Sequence, residues 1–180
     1  GLACESNINS RLIKQLDEKP YWSVEYSPFD EEIFNDLPKE NWTLLVSDIE
    51  KHAIEGRELL DLFRFIPDWR IDDLMVSYAA KGGSVGPHID AYDVFLVQAA
   101  GQRRWQINTT PCGDDAPFLE GIELRILKNF EANEEWVLNP GDILYLPPNI
   151  AHHGVAVNEC ITCSVGFRAP STHAMVSEYA

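Results

Sequence analysis

The chain has 180 residues, enough for one well-buried domain, and a formal net charge of −15 from 29 acidic and 14 basic residues. This charge repels phosphate backbones and anionic lipids, which argues against direct nucleic-acid or membrane binding, but it favours encounter with a basic protein. No apolar run approaches the ~20 residues of a membrane span and no signal peptide opens the chain, so we expect a soluble, cytoplasmic protein.

Residues 1–70 are predicted to form a helix-containing N-terminal region that packs on a core. Apolar residues recur at spacings of three and four in residues 42–49 and again in 58–65, as they do in amphipathic helices. Pro67 is expected to end the second helix. His52 would then lie on an exposed helix, which disfavours it as a buried ligand.

From residue 71 the pattern changes to short β-branched and aromatic runs separated by Gly, Pro and Asn, which is typical of a jelly roll. We predict a mainly β, double-stranded β-helix core over residues 71–170, followed at 171–180 by the start of a linker or helix. The predicted strands are 73–78, 88–90, 94–98, 103–107, 123–127, 135–138, 143–146, 155–157 and 161–167.

The first chemical motif is the pair His88 and Asp90, which follows a glycine-rich approach at residues 82–87. Side chains two residues apart on an extended strand project from the same face, so both can reach one ion. An imidazole nitrogen and a carboxylate oxygen are two of the three ligands in the facial triad that binds non-haem iron(II). Manganese or zinc could occupy the same ligands.

The third ligand is expected from the pair His152 and His153. His152 shares its strand face with Gly154 and Ala156, small residues that leave room for an ion, whereas His153 shares its face with two valines. This parity slightly favours His152. The last histidine, His173, lies in the C-terminal tail and is expected to be a solvated surface residue.

The spacing of these residues resembles the two motifs of the cupin superfamily. His88 follows Gly82 by six residues, and Gly141 is followed by Pro147 after six and by His152 after five more. That register selects His152 as the third ligand, and an aspartate at position 90 points to the oxygenase branch. Asn149 replaces the usual glycine of the second motif, but asparagine tolerates the left-handed backbone of such a turn.

Arg103 is predicted to bind an anion inside the barrel. Trp105 and Ile107 should face inward, and strand alternation then turns Arg103 inward as well, while Arg104 faces water. A buried guanidinium needs a partner, which the distal carboxylate of 2-oxoglutarate would provide through a bidentate contact. The alternative partner is an acidic side chain of the chain itself.

Longer segments resemble the bacterial ribosomal oxygenases, Jumonji-type hydroxylases related to cupins. The similar segments cover nearly the whole chain and include residues 68–75, 86–95, 140–145 and 164–170. Arg103 matches the 2-oxoglutarate-binding arginine of that family, and Ser77 matches a serine that the family uses on the strand before the metal motif. From the sequence pattern alone, Ser77 could equally be a hydroxyl at the edge of the core.

The resemblance implies an enzyme that uses Fe(II), 2-oxoglutarate and O2 to hydroxylate an arginine side chain of large-subunit ribosomal protein L sixteen. A basic ribosomal protein substrate suits the acidic chain. The family also implies a homodimer formed through regions that we expect to be absent from this chain. A related histidyl hydroxylase, a demethylase, or a metal-binding cupin without oxygenase activity would share the same residues.

Overall fold

The computed structural model describes residues 2–18, 21–112 and 116–168. Within these ranges, no helix has the length and apolar character needed to cross a bilayer. The predictions made for residues 171–180, including the tail position of His173, lie outside the described residues.

Two antiparallel sheets form the body of the protein. In the described ranges there are ten strands: β1 (Ser10–Gln15), β2 (Trp22–Tyr26), β3 (Trp42–Val46), β4 (Ile71–Ala79), β5 (Asp93–Ala100), β6 (Arg103–Asn108), β7 (Glu134–Leu138), β8 (Ile143–Leu146), β9 (Ala151–Ala156) and β10 (Cys160–Phe167). The larger sheet has the order β2-β1-β3-β4-β10-β5-β8, and the smaller has the order β7-β6-β9. The mainly β, double-stranded β-helix prediction is therefore confirmed.

The N-terminal region differs from its prediction. Residues 42–49 were expected to be helical, but β3 occupies most of this segment and pairs with both β1 and β4. Thr43 and Leu45 are buried while their neighbours are partly exposed, which is the two-residue period of a strand. Pairing with two strands distant in sequence overrides the local spacing of apolar residues. β3 lies before residue 70 and β4 after it, and the two strands pair in one sheet, so the larger sheet contains residues from both sides of the predicted boundary. The division into an N-terminal region (1–70) and a core (71–170) stays a prediction.

The helices are short. They are α1 (Ile49–His52) and α2 (Ile54–Asp61), so the helix predicted at 58–65 begins and ends earlier than expected. Leu60 of α2, together with Phe63, packs on the outer face of the larger sheet against Val165 and Phe167, which are completely buried. Burial of each such large side chain contributes about 1.5–3 kcal/mol. The helical segment thereby covers the sheet on the side opposite the cavity described below.

Two predicted strands are not regular strands. Residues 88–90 form only an isolated bridge between His88 and His152, and residues 123–127 contribute only a bridge from Leu127 to Phe118. Pro87 has no N–H to donate and Gly86 has a positive φ of 81°, so the ladder cannot continue before His88. Near residue 126 the chain folds back on itself, since the Ile126 N–H donates to the Leu124 carbonyl at 2.9 Å.

Candidate active site

A cavity of about 670 Å³ lies between the two sheets. Strand alternation turns the side chains of β4, β5, β6 and β10 on one face into this cavity. All five residues singled out in the sequence line it, namely Ser77, His88, Asp90, Arg103 and His152. The structure therefore brings the two predicted histidines, the carboxylate and the inward arginine into one cavity.

His88, Asp90 and His152 form a compact group that could bind a metal ion. One ligand atom from each side chain lies within 4.8 Å of the others, and among the described residues this is the group with that property. The two imidazole rings have centroids 4.2 Å apart, and His152 Nε2 lies 3.6 Å from Asp90 Oδ2. Two nitrogens and one oxygen on one side of a common centre leave further positions open for other ligands.

Backbone hydrogen bonds fix this arrangement. The His88 N–H donates to the His152 carbonyl at 3.0 Å, and the His152 N–H donates back to the His88 carbonyl at 2.9 Å. The Asn149 N–H donates to the Asp90 carbonyl at 2.8 Å, and Asn149 adopts a positive φ of 65°. Asparagine thus provides the left-handed turn that the sequence predicted at this position. The turn aligns the distal histidine with the His-x-Asp segment.

The ring orientation of both histidines is set by neighbouring carbonyls. His88 Nδ1 lies 2.9 Å from the Gly86 carbonyl, and His152 Nδ1 lies 2.9 Å from the Ile150 carbonyl. A carbonyl can only accept, so each Nδ1 carries a proton, which leaves Nε2 as the ring nitrogen that can bind a metal. Metal-binding histidines commonly use such a contact to fix their tautomer. Both Nε2 atoms are therefore prepared to donate electrons to a cation.

His152 is neutral at physiological pH. Burial, and secondarily the neighbouring His88, lower the pKa of His152 to about 3. Its contact with Asp90 is consequently not an ion pair, because the carboxylate and the unprotonated Nε2 are both acceptors. Two acceptors that face each other with no proton to share would be stabilised by a divalent cation between them.

His153 lies outside the cavity. Its ring packs edge-on against Phe130 at a centroid distance of 6.1 Å, and its buried Nε2 has no hydrogen-bond partner among the described residues. Burial lowers the pKa of His153 to about 4. The two neighbouring histidines therefore point to opposite faces of β9, as alternation requires.

Arg103 is buried in the cavity without an anionic partner. Only 5% of the residue is exposed, and its Nε and Nη2 atoms have no hydrogen-bond acceptor in the described part of the chain. Its guanidinium carbon lies 5.8 Å from the centre of the Trp105 ring. The alternative of a salt bridge within the protein is not what the described residues show, whereas Arg104 faces out and lies 3.6 Å from Glu135. An unpaired buried guanidinium is costly, which favours a bound anion.

Ser77 lies on β4 and is 3% exposed. Its hydroxyl makes only a long 3.4 Å contact with the Thr162 carbonyl, so the oxygen can still accept or redirect a hydrogen bond. Tyr92, for which the sequence allowed either a site or a core position, also lines the cavity. Burial and the nearby Asp90 and Asp73 raise its pKa to about 12, so the phenol stays protonated.

Several charged residues that line the cavity were not identified from the sequence, and Asp73 and Arg11 are two of them. Asp73 shares the parity of Ser77 on β4, and that alternation could have identified it. Burial and the neighbouring carboxylates of Asp72, Asp48 and Glu50 raise the pKa of Asp73 to about 6. Arg11 belongs to β1, which was not predicted as a strand, and its Nη2 lies 3.7 Å from Met75 Sδ in the cavity wall.

The space at Gly154 is required by Trp105. A Cβ added at Gly154 would lie 2.6–2.7 Å from two carbons of the indole ring. We expect Gly154→Ala to lower the free energy of unfolding by about 1–3 kcal/mol, because the ring must shift within a packed barrel. Denaturant unfolding measures this. The control is Gly166→Ala, where an added Cβ makes ordinary contacts at 3.5 Å. Equal stability of the two variants would contradict the prediction.

The fold and the cavity define a double-stranded β-helix protein of the cupin type, with a His-x-Asp pair and a distal histidine facing its interior. Residues 58–175 match the family model described as the JmjC domain. The chain belongs to the JmjC domain family.

Individual relatives are similar over almost all of the chain. It is 42% identical to the ribosomal protein uL16 3-hydroxylase of Escherichia coli over 183 aligned positions, which cover 100% of this chain and 47% of that protein. It is 45% identical to a probable ribosomal oxygenase of Haemophilus influenzae, covering 94% of this chain and 42% of that one. The chain thus spans less than half the length of these relatives.

A solved structure gives the same picture. The ribosomal oxygenase YcfD from Escherichia coli, in complex with cobalt and 2-oxoglutarate, superposes with a TM-score of 0.85 at 41% identity. The match covers 99% of this chain and 45% of that chain.

Proposed function

We propose that this chain carries the catalytic centre of an iron(II)- and 2-oxoglutarate-dependent hydroxylase of a ribosomal protein. The observation that carries the proposal is that one cavity contains both a group of metal-binding side chains and a buried arginine. His88, Asp90 and His152 present atoms that can donate electron pairs to a cation, while Arg103 Nε and Nη2 have no acceptor among the described residues. A divalent cation would bind the three ligand side chains, and a 2-oxo diacid bound to that cation would offer the free carboxylate at its far end to Arg103.

Each residue has a proposed role in binding. His88 Nε2, Asp90 and His152 Nε2 would hold the metal, and Arg103, assisted by the Ser77 hydroxyl, would hold the distal carboxylate of the cosubstrate. Two nitrogens and one carboxylate with open positions are the ligand set of non-haem iron(II) oxygenases. The cobalt and 2-oxoglutarate complex of the related ribosomal oxygenase supports this assignment.

Bound iron and 2-oxoglutarate would supply the oxidising chemistry that uses O2 to place one oxygen atom on a carbon of the substrate, with release of succinate and carbon dioxide. The chain itself provides geometry. The reciprocal hydrogen bonds of His88 and His152 keep their Nε2 atoms on one centre, and Arg103 sets the direction of the cosubstrate. Val94 and Leu96 give the cavity an apolar wall, which strengthens the electrostatic contacts inside it.

The substrate is proposed to be an arginine side chain of ribosomal protein uL16. Asp73 lines the same cavity as the proposed metal ligand Asp90. A guanidinium would pair with Asp73 and relieve its unfavourable burial among other acids. The net charge of −15 would attract a basic protein. We also propose that the protein acts in the cytoplasm and forms a homodimer through regions outside this chain.

Asp73 gives a prediction with opposite effects on stability and on binding. A raised pKa means that the folded state holds the proton more tightly than the unfolded chain, so stability falls as pH rises from about 4 to about 6. Asp73→Asn removes this penalty. We expect it to raise the free energy of unfolding by about 1 kcal/mol above pH 6, after allowance for partial exposure, and to have no effect below about pH 4.

The same variant should bind a basic peptide less well. Wild-type affinity for an arginine-containing peptide should increase as pH rises through about 6, when Asp73 becomes charged, and Asp73→Asn should remove that part of the pH dependence. Calorimetric titration at several pH values and denaturant unfolding measure the two effects. A variant that is less stable at neutral pH, yet binds the peptide normally, would contradict this role.

The proposed function is tested by turnover. The chain is incubated with iron(II), 2-oxoglutarate and a uL16 peptide that contains arginine, and succinate and peptide mass are followed. The expected result is succinate that depends on both cofactors and a mass gain of one oxygen atom on arginine. Oxygen on histidine would indicate a histidyl hydroxylase, and loss of a methyl group a demethylase. No turnover with any basic peptide would favour a metal-binding cupin without oxygenase activity.

A further inference from the structure

The indole of Trp105 has a buried N–H without a partner. Trp105 is 4% exposed and lines the cavity, and its Nε1 has no hydrogen-bond acceptor in the ranges that the structure describes. Buried tryptophan N–H groups normally find an acceptor, and leaving one unsatisfied is unfavourable. An exception inside a binding cavity therefore points to an acceptor on a ligand.

The orientation of the ring places Nε1 away from β9. The atoms that approach Gly154 most closely are Cζ3, Cη2 and Cε3, which form the edge of the indole opposite the nitrogen. Gly154 is the register partner of Trp105 on β9. The absence of a side chain at Gly154 therefore lets the six-membered ring lie against the strand and turns the N–H edge to the other side.

The same ring lies beside both ends of the proposed cosubstrate site. The Trp105 ring centroid is 5.8 Å from the His152 ring centroid and 5.8 Å from the guanidinium carbon of Arg103. A diacid that extends from the metal ligands to Arg103 would lie close to the indole, because the ring is near both groups. Its oxygens would then be available as acceptors for the Trp105 N–H.

We propose that Trp105 is a cosubstrate-binding residue whose Nε1–H donates a hydrogen bond to an oxygen of the bound 2-oxo diacid. This inference rests on the proposed function. The indole and the Arg103 guanidinium together form a two-residue clamp, with Arg103 fixing the end of the diacid and Trp105 fixing its side. The clamp would favour a diacid over a 2-oxo monoacid, which offers no distal carboxylate to Arg103.

The direct test observes the indole N–H itself. The chain is labelled with ¹⁵N at its tryptophans and loaded with zinc as a diamagnetic metal, and 2-oxoglutarate is then added. We expect the Trp105 Nε1–H resonance, assigned in the wild-type chain, to move downfield as the hydrogen bond forms. The resonance of the exposed Trp69 should stay in place. Binding of 2-oxoglutarate with an unmoved Trp105 resonance would overturn the inference.

Affinity gives an independent test. Trp105→Phe keeps an aromatic ring but removes the N–H, and it should weaken 2-oxoglutarate binding at least about tenfold, while zinc affinity changes less than about twofold. Trp69→Phe is the matched control and should bind as the wild type does. Wild-type affinity in Trp105→Phe would show that the indole makes no such bond. Failure of the wild-type chain to bind 2-oxoglutarate at all would instead refute the proposed function.

Discussion

Asp90→Ala is expected to abolish metal-dependent turnover of 2-oxoglutarate. The variant removes the carboxylate of the three-residue group and leaves only two imidazoles to hold a divalent cation. Loss of residues that merely support metal ligands weakens binding by about 10–100-fold, so loss of a ligand should weaken it by more than about 100-fold. Metal affinity by titration and succinate formation measure the effect.

The control for Asp90→Ala is an aspartate on the surface. Asp61 pairs with Arg64 in an exposed ion pair, and Asp61→Ala should leave metal affinity and turnover unchanged. Both variants should fold, because Asp90 accepts its backbone contact from Asn149 through the carbonyl rather than the side chain. Turnover in Asp90→Ala that stays within about tenfold of the wild type would contradict its role as a ligand.

Arg103→Met has the second large expected effect. Removal of the guanidinium would delete the proposed bidentate contact to the cosubstrate, and each charge-assisted hydrogen bond contributes about 1.5–3 kcal/mol. We therefore expect 2-oxoglutarate affinity to fall by at least about 100-fold. The protein without ligands should become more stable by about 1–4 kcal/mol, because an unpaired buried charge is replaced by an apolar chain of similar volume. Calorimetry and denaturant unfolding measure the two quantities.

The adjacent arginine provides a matched control. Arg104 points to solvent and lies near Glu135, so Arg104→Met should change neither 2-oxoglutarate affinity nor stability by much. Loss of affinity in the Arg104 variant equal to that in the Arg103 variant would mean that long-range charge, rather than a direct contact, governs binding. Normal affinity in Arg103→Met would remove the proposed anion site.

The barrel interior could be predicted because strand alternation is local. The inward direction of Arg103 followed from its neighbours Trp105 and Ile107, and the common face of His88 and Asp90 followed from their spacing. Residues 42–49 were assigned wrongly, because their apolar spacing fits a helix as well as a strand. Only pairing with β1 and β4, which lie far away in sequence, selects the strand.

Other features of the site could be recognised only from the three-dimensional structure. The alternation of strand faces favoured His152 over His153 only slightly. In the structure His152 lines the cavity, whereas His153 packs against Phe130 on the other face of β9. The buried N–H of Trp105 could not be recognised from a sequence pattern, because finding it without an acceptor among the described residues requires the positions of the surrounding atoms. The raised pKa of Asp73 likewise depends on carboxylates from several segments of the chain.

A crystal structure of the chain with manganese(II) and 2-oxoglutarate tests the central claim most directly. The proposal predicts one ion bound by His88 Nε2, an Asp90 carboxylate oxygen and His152 Nε2. It also predicts 2-oxoglutarate extending from that ion to the Arg103 guanidinium. An ion bound by His153, or 2-oxoglutarate whose distal carboxylate does not contact Arg103, would contradict it.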